Sequence, residues 1–129
     1  MSWIVTNMKG IMVVAGALTC TMLYAVIAPE AALRSTFGET LDGPLADIIV
    51  RNWGALIAIV GAMLIYGAFD RPSRPPILII AALGKLVFIG LVVSQGGRYL
   101  SQQAGIAVVI DSVMVLLFVG YLVGVRGKP

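Results

Sequence analysis

Apolar residues are grouped in four long stretches along the chain, and the polar positions fall mainly between them. A helix needs roughly 20 apolar residues to cross the hydrocarbon core of a bilayer, with about 17 to 25 tolerated. All four stretches meet that length, and every proline lies outside them. The pattern predicts transmembrane helices at about residues 10–28, 48–69, 77–93 and 104–125, and the first of them could begin a turn or two earlier, at Trp3.

These stretches are helices rather than strands, because unpaired backbone groups are costly in hydrocarbon and the stretches lack the alternation of a barrel strand. The chain is 60% hydrophobic and 12% charged, with a mean hydropathy of +1.02, whereas a soluble domain carries about 25% charged residues. The sequence therefore predicts an all-α membrane protein, in which a four-transmembrane-helix bundle forms a single integral membrane domain over residues 1–129.

Three polar segments connect the predicted helices. In the first, Pro29 suits a helix start and Gly38 a helix end, while Leu33 and Phe37 share one face. A short amphipathic surface helix between the first and second transmembrane helices is expected there. The segment DRPSRPP, residues 70–76, is short and proline-rich, so it forces the second and third helices into an antiparallel hairpin. The last segment, residues 94–103, is a polar loop.

The distribution of lysine and arginine predicts the orientation, because positively charged loops stay in the cytoplasm. One side of the membrane would hold Lys9, Arg71, Arg74, Arg126 and Lys128, and the other would hold Arg34, Arg51 and Arg98. This bias favours a multi-pass protein of the cell inner membrane with both termini cytoplasmic.

The composition also excludes several kinds of chemistry. The chain has no histidine, which removes the usual haem ligand, the commonest zinc ligand and the standard general base. Cys20 is the single cysteine, so no CxxC pair or thiolate cluster can form. We expect no enzymatic activity, no metal and no cofactor. The net charge of +3 is scattered along the membrane boundaries, which predicts contacts with membrane lipids and no binding of nucleic acid.

Two ionisable residues, Lys85 and Asp111, lie inside the predicted helices. Each costs roughly 2.5 to 3.5 kcal/mol at a helix centre in insertion measurements. Lys85 lies about 13 Å and Asp111 about 10 Å from the outer ends of the third and fourth helices, at 1.5 Å per residue. Because adjacent antiparallel helices would bring them to matching depth, we expect a direct ion pair between them.

Arg51 and Asn52 open the second helix near the same membrane boundary, above a stripe of alanine and glycine. If Arg51 points inward, an intramembrane polar cluster of Arg51, Asn52, Lys85 and Asp111 would line the outer half of the bundle. One interpretation is structural: the pair locks two helices in register while Arg51 extends to headgroups. The other is a site that binds a small amphiphilic ligand or relays an ion.

The second helix and its surroundings resemble a known group of proteins. The stretch VRNWGALIAIVGAMLIYGAF, residues 50–69, has an arginine opening a helix rich in glycine and alanine, followed by a short basic loop and a third helix with a buried cation. This arrangement resembles the small four-helix bacterial proteins of the DoxX-like superfamily and its uncharacterised relatives. The resemblance implies an association with quinone-linked redox enzymes or with the assembly of other membrane proteins, and it supplies no catalytic residue.

We therefore expect an accessory, assembly or structural component of a membrane complex. The alternative is a small-solute or ion carrier or binder that uses the polar cluster. A bundle this small leaves much apolar surface facing lipid, so we expect a homo-oligomer or a larger membrane-protein partner.

The orientation is testable by labelling single cysteines in a Cys20→Ala background. Because the charge bias favours cytoplasmic ends, Ser73→Cys and Lys128→Cys should react only with a reagent that crosses the inner membrane, and Ser101→Cys should react from outside. Labelling of Ser101→Cys solely after permeabilisation would reverse the orientation.

Overall fold

The computed structural model of the protein describes residues 2–126, which form helices joined by short turns, with no strand among them. The helices are α1 (Ser2–Cys20), α2 (Tyr24–Ile27), α3 (Pro29–Phe37), α4 (Pro44–Phe69), α5 (Arg74–Ser94) and α6 (Gln103–Arg126), with 3₁₀ turns at Thr21–Leu23 and Arg71–Ser73. Four segments are long and apolar enough to cross a membrane: Trp3–Ile27, Pro44–Phe69, Arg71–Ser94 and Gln103–Val125. The predicted all-α four-helix bundle is confirmed. Lys128, which entered the orientation count, lies outside the described residues.

The helices extend beyond the predicted stretches, and α4 shows why. It begins at Pro44, whose fixed φ and missing N–H suit the first helical position, directly after Gly43 at φ 102°. Asp47 then lies in the first turn, where a negative charge is favourable next to the helix dipole. Hydropathy underestimates this helix because its first turn contains a proline and the charged Asp47.

The four long helices form a ring in the order α1, α4, α5, α6, in which α1 and α5 are diagonal to each other. The closest approach is between α1 and α4. A Cβ atom added at Gly16 would lie 2.6 Å from the carbonyl oxygen of Gly61, and one added at Gly61 would lie 2.7 Å from the backbone nitrogen of Cys20. Small residues let two backbones meet in this way, which is how transmembrane helices associate without a hydrophobic driving force.

Dense packing is concentrated at the end of the bundle that holds the start of α1, the end of α6 and the α4–α5 turn, here called the termini end. Its largest fully buried side chains are Met8, Met12, Leu64, Leu78 and Phe118. A second, smaller apolar cluster of Ala25, Ala32, Leu33 and Val50 lies at the opposite end, here called the α3 end. The two clusters are separate, and the cavity described below lies between them.

Arg74 is buried at the termini end, with 5% of its surface exposed. Its Nε atom donates to the carbonyl of Gly67 at 2.9 Å, and a terminal nitrogen donates to the carbonyl of Ala68 at 2.8 Å. These carbonyls belong to the last turn of α4, where no backbone partner is present. The guanidinium also lies 5.9 Å from the ring centroid of Tyr121. Arg74 therefore caps α4 and fixes the turn into α5.

The short helix α3 is present where the sequence placed it. Leu33 is buried, whereas Glu30 and Arg34 form an exposed pair at 3.7 Å on another face. Gly38 ends the helix at φ 75°, a conformation that favours glycine. The hydroxyl of Tyr24 lies 2.7 Å from Ser35 Oγ and ties α3 back to α2.

The contact between α1 and α4 predicts opposite effects for two glycine substitutions in α1. Gly16→Ala should destabilise the bundle by roughly 1 to 3 kcal/mol, because the new methyl group meets the backbone of α4. Gly10→Ala meets no atom within 4 Å, so it should be neutral or stabilising by up to about 1 kcal/mol through helix propensity. Thermal unfolding of both variants in detergent checks this. Equal unfolding temperatures would show that the contact is not tight.

Candidate functional site

Lys85 and Asp111 form an ion pair between α5 and α6. Lys85 Nζ lies 2.8 Å from Asp111 Oδ1, and the side chains are 11% and 18% exposed. The pair expected from their matching depths is therefore formed. Lys85 lies nine residues before the end of α5, and Asp111 lies eight residues after the start of α6, so both charges are about 12 to 13 Å inside the helices at 1.5 Å per residue.

Thr19 is the third polar residue of this site, and it is absent from the cluster that the sequence pattern predicts. It is buried on α1, diagonally opposite Lys85, and its Oγ1 lies 3.5 Å from Lys85 Nζ. The hydroxyl donates to the carbonyl of Ala15 at 2.6 Å, one turn earlier. A threonine inside an apolar helix satisfies its hydroxyl in this way by itself, so no feature of the pattern indicates a further role for it. Thr19, Lys85 and Asp111 are called the polar triad below.

The polar triad faces a cavity of about 610 Å³ that is lined by all four long helices and is partly open to the outside. Most of its lining is apolar, including Ile57 and Val60 of α4, Phe88 of α5, and Ala107 and Met114 of α6. The triad lies near the inner end of this central cavity, where Ala81 and Met114 belong to the packed core. Tyr24, Thr36, Trp53 and Gln103 line the α3 end. The walls of the cavity are thus mostly apolar, and its charged groups are those of the polar triad.

A cap formed by α3 and the loop of residues 95–102 covers the α3 end of the bundle. The ring of Phe37 packs edge-on against Tyr99 with centroids 5.3 Å apart, and at 6.0 Å against Trp53. Arg98 donates to both carboxylate oxygens of Glu39 at 2.9 to 3.1 Å. These hydrogen bonds and the negative charge of Glu39 raise the pKa of the exposed Arg98 guanidinium above its ordinary value. This α3 cap joins two segments that are far apart in the sequence.

Arg51 and Asn52 do not join Lys85 and Asp111, so the expected four-residue cluster is divided. Arg51 donates to Asp47 at 2.9 Å and to the carbonyl of Val26 at 2.7 Å, and 47% of its side chain is exposed. It satisfies a carbonyl at the end of α2, which explains its orientation. Asn52 is exposed, and neither residue lines the central cavity. Below Arg51, Gly61 of the small-residue stripe packs closely on Gly16 and Cys20 of α1.

The site offers hydrogen bonding and charge within apolar surroundings. Among residues 2–126, no group of three or more histidine, cysteine, aspartate or glutamate side chains is placed to hold a metal ion. The free thiol of Cys20 lies 3.6 Å from the carbonyl of Ala58, at the contact between α1 and α4. The described groups are suited to holding a molecule in place.

Comparisons with known proteins add no relative. No protein-family model matches the chain, and no curated protein or solved structure matches it. What bears on function is therefore the geometry of the polar triad and the central cavity.

The ion pair predicts strong coupling between two substitutions. Lys85→Met alone should destabilise the protein by roughly 3 to 5 kcal/mol, because it leaves an uncompensated buried charge. Asp111→Leu alone should have a similar effect. The double variant should be less destabilised than either single one, since no unpaired charge remains. Thermal stability of all three in detergent gives the coupling free energy, and additive losses would contradict a direct pair.

Proposed function

We propose that the protein binds an amphiphilic molecule inside the membrane, in the central cavity, and that it does so without catalysis. One observation carries this proposal. A cavity of about 610 Å³ has apolar walls contributed by four helices and one charged locus, the polar triad. Pockets for small molecules are typically about 300 to 1,000 Å³, mostly apolar, with a few placed polar groups that set the orientation.

The packing of the bundle supports a ligand site over a simple helix clamp. An ion pair that only fixes helix register needs no free volume beside it, and cores are otherwise filled to a density of about 0.75. Here the termini end is densely packed, while the space next to Lys85 and Asp111 is open. Their side chains also keep 11% and 18% exposure, so a ligand can reach them.

The walls of the central cavity also reach the lipid-facing surface. Leu56 on α4, Ile80 on α5 and Ile106 on α6 line the cavity, yet they are 54%, 48% and 62% exposed. A side chain that borders both the cavity and the outer surface marks a place where the wall is thin or open. The ligand would therefore exchange with the bilayer, which suits an amphiphilic molecule better than a water-soluble ion.

An accessory or assembly role in a larger membrane complex is the second candidate. The observation that favours it is the exposure of Leu45, Ile48 and Ile49 at the start of α4, which are 70%, 65% and 57% exposed. These residues lie beside the charged Asp47, at a boundary where a partner helix could pack. This second proposal includes the DoxX-like resemblance, an inner-membrane location and cytoplasmic termini. Binding of an amphiphile and membership of a complex are compatible.

Two glycines of α5 provide a matched test of the binding function. Gly84 lines the central cavity and Gly90 lies on the exposed surface, and a Cβ atom at either meets nothing within 4 Å. Gly84→Phe should fill the cavity and lower the amount of copurified lipid per protein by about tenfold. Gly90→Phe should retain it. Mass spectrometry of lipids extracted from detergent-washed protein makes the measurement, and equal retention in both variants would overturn the proposal.

The accessory role has a separate readout. The wild-type protein should copurify with a larger complex from native membranes, and Ile48→Ser with Ile49→Ser should release it while leaving the lipid content unchanged. A monodisperse wild-type protein without a partner would contradict this second candidate.

A further inference from the structure

The charges and hydrogen-bonding groups of the polar triad restrict which headgroup can enter the central cavity. We infer that the ligand is a membrane lipid with an uncharged, hydroxyl-bearing headgroup, and that this hydroxyl binds between Lys85 and Asp111. This inference rests on the proposed function, since it specifies the amphiphile that the cavity would hold.

The net charge of the site disfavours ionic headgroups. Lys85 is neutralised by Asp111 at 2.8 Å, so an anionic headgroup would meet a carboxylate as well as an ammonium group. A cationic headgroup would meet the ammonium group of Lys85. Among the residues that the structure describes as lining the cavity, no further side chain is charged, and an unpaired ion is costly to bury in apolar surroundings. A neutral headgroup avoids that cost.

The depth of the site leads to the same class of ligand. The pair lies about 12 to 13 Å from the α3 ends of α5 and α6, at 1.5 Å per residue. A phosphate headgroup would have to leave the hydrated interface and lose its water to reach that depth. Moving a hydroxyl group to that depth costs less free energy than moving a phosphate, because hydrogen bonds within the site offset the loss of its water.

The free hydrogen-bonding positions match a hydroxyl group. Asp111 Oδ1 accepts from Lys85, while its second carboxylate oxygen has no hydrogen-bond partner among residues 2–126. Lys85 carries three N–H donors, of which one is directed to Asp111 and one makes only a long contact of 3.5 Å with Thr19. Thr19 already donates to Ala15. The site thus offers one strong acceptor and at least one donor, and a single hydroxyl can satisfy both.

Trp53 allows this headgroup preference to be measured directly. It lines the central cavity, whereas Trp3 is 64% exposed on α1, so Trp3→Phe leaves one reporter at the site. The probes are diacylglycerol and phosphatidic acid with identical dibrominated acyl chains, each diluted into phosphatidylcholine nanodiscs. Bromine quenches tryptophan fluorescence on contact, and the two probes differ only in the phosphate group.

We expect saturable quenching by diacylglycerol at a mole fraction about tenfold lower than by phosphatidic acid. Adding Lys85→Met and Asp111→Leu together should make the two curves coincide. Gly84→Phe should remove saturable quenching by both probes, and Gly90→Phe should change neither. If the double variant does not fold, the comparison of the two probes on the Trp3→Phe protein still decides the question.

The outcomes separate this inference from the function on which it rests. Equal saturation by both probes, or a preference for phosphatidic acid, overturns the uncharged headgroup and leaves lipid binding intact. Quenching that never saturates with either probe, and is the same in Gly84→Phe, overturns both.

Discussion

A lysine and an aspartate inside an apolar bundle can keep their charges only by staying together, and the architecture around them depends on this constraint. The distance of 2.8 Å between Lys85 and Asp111 sets the register of α5 against α6. Since that register is fixed, Ala81 and Met114 come to lie at the boundary of the packed core. Thr19 of α1 completes the site from the diagonal helix. The pair therefore links the packing of α5 and α6 to the central cavity that it faces.

The two ends of the bundle are stabilised by different contacts. At the termini end, methionine, leucine and phenylalanine side chains fill the interior. At the α3 end, the long helices leave space between them, and aromatic and ionic contacts between α3 and the 95–102 loop close the top. A cavity survives because the cap spans the opening without filling it. A bundle packed equally at both ends would have left the ion pair inaccessible.

Much of the fold could be predicted from the sequence, because hydropathy and proline positions report where a chain enters and leaves a bilayer. The depths of Lys85 and Asp111 followed from counting residues, so their pairing could be predicted too.

Counting residues gives the depth of a side chain along its helix and says little about which neighbouring helix the side chain faces. That is why Arg51 was expected to point inward, although it bonds the end of α2. The hydroxyl of Thr19 donates to a carbonyl of its own helix, so the pattern of polar and apolar residues does not mark Thr19 as part of the site. The α3 cap depends on contacts between residues 37–39 and 98–99, which no local pattern encodes.

Arg74 has different roles before and after the hairpin folds. In the unfolded chain it is a solvated cation in a short loop, and such cations influence which side of the membrane a loop occupies. Once α4 has ended and α5 has turned back, the same guanidinium donates to the carbonyls of Gly67 and Ala68 and is withdrawn from water. In the folded hairpin this charge is thus hydrogen-bonded and no longer available to solvent. Reopening the turn would break both hydrogen bonds and leave the carbonyls of Gly67 and Ala68 without this partner.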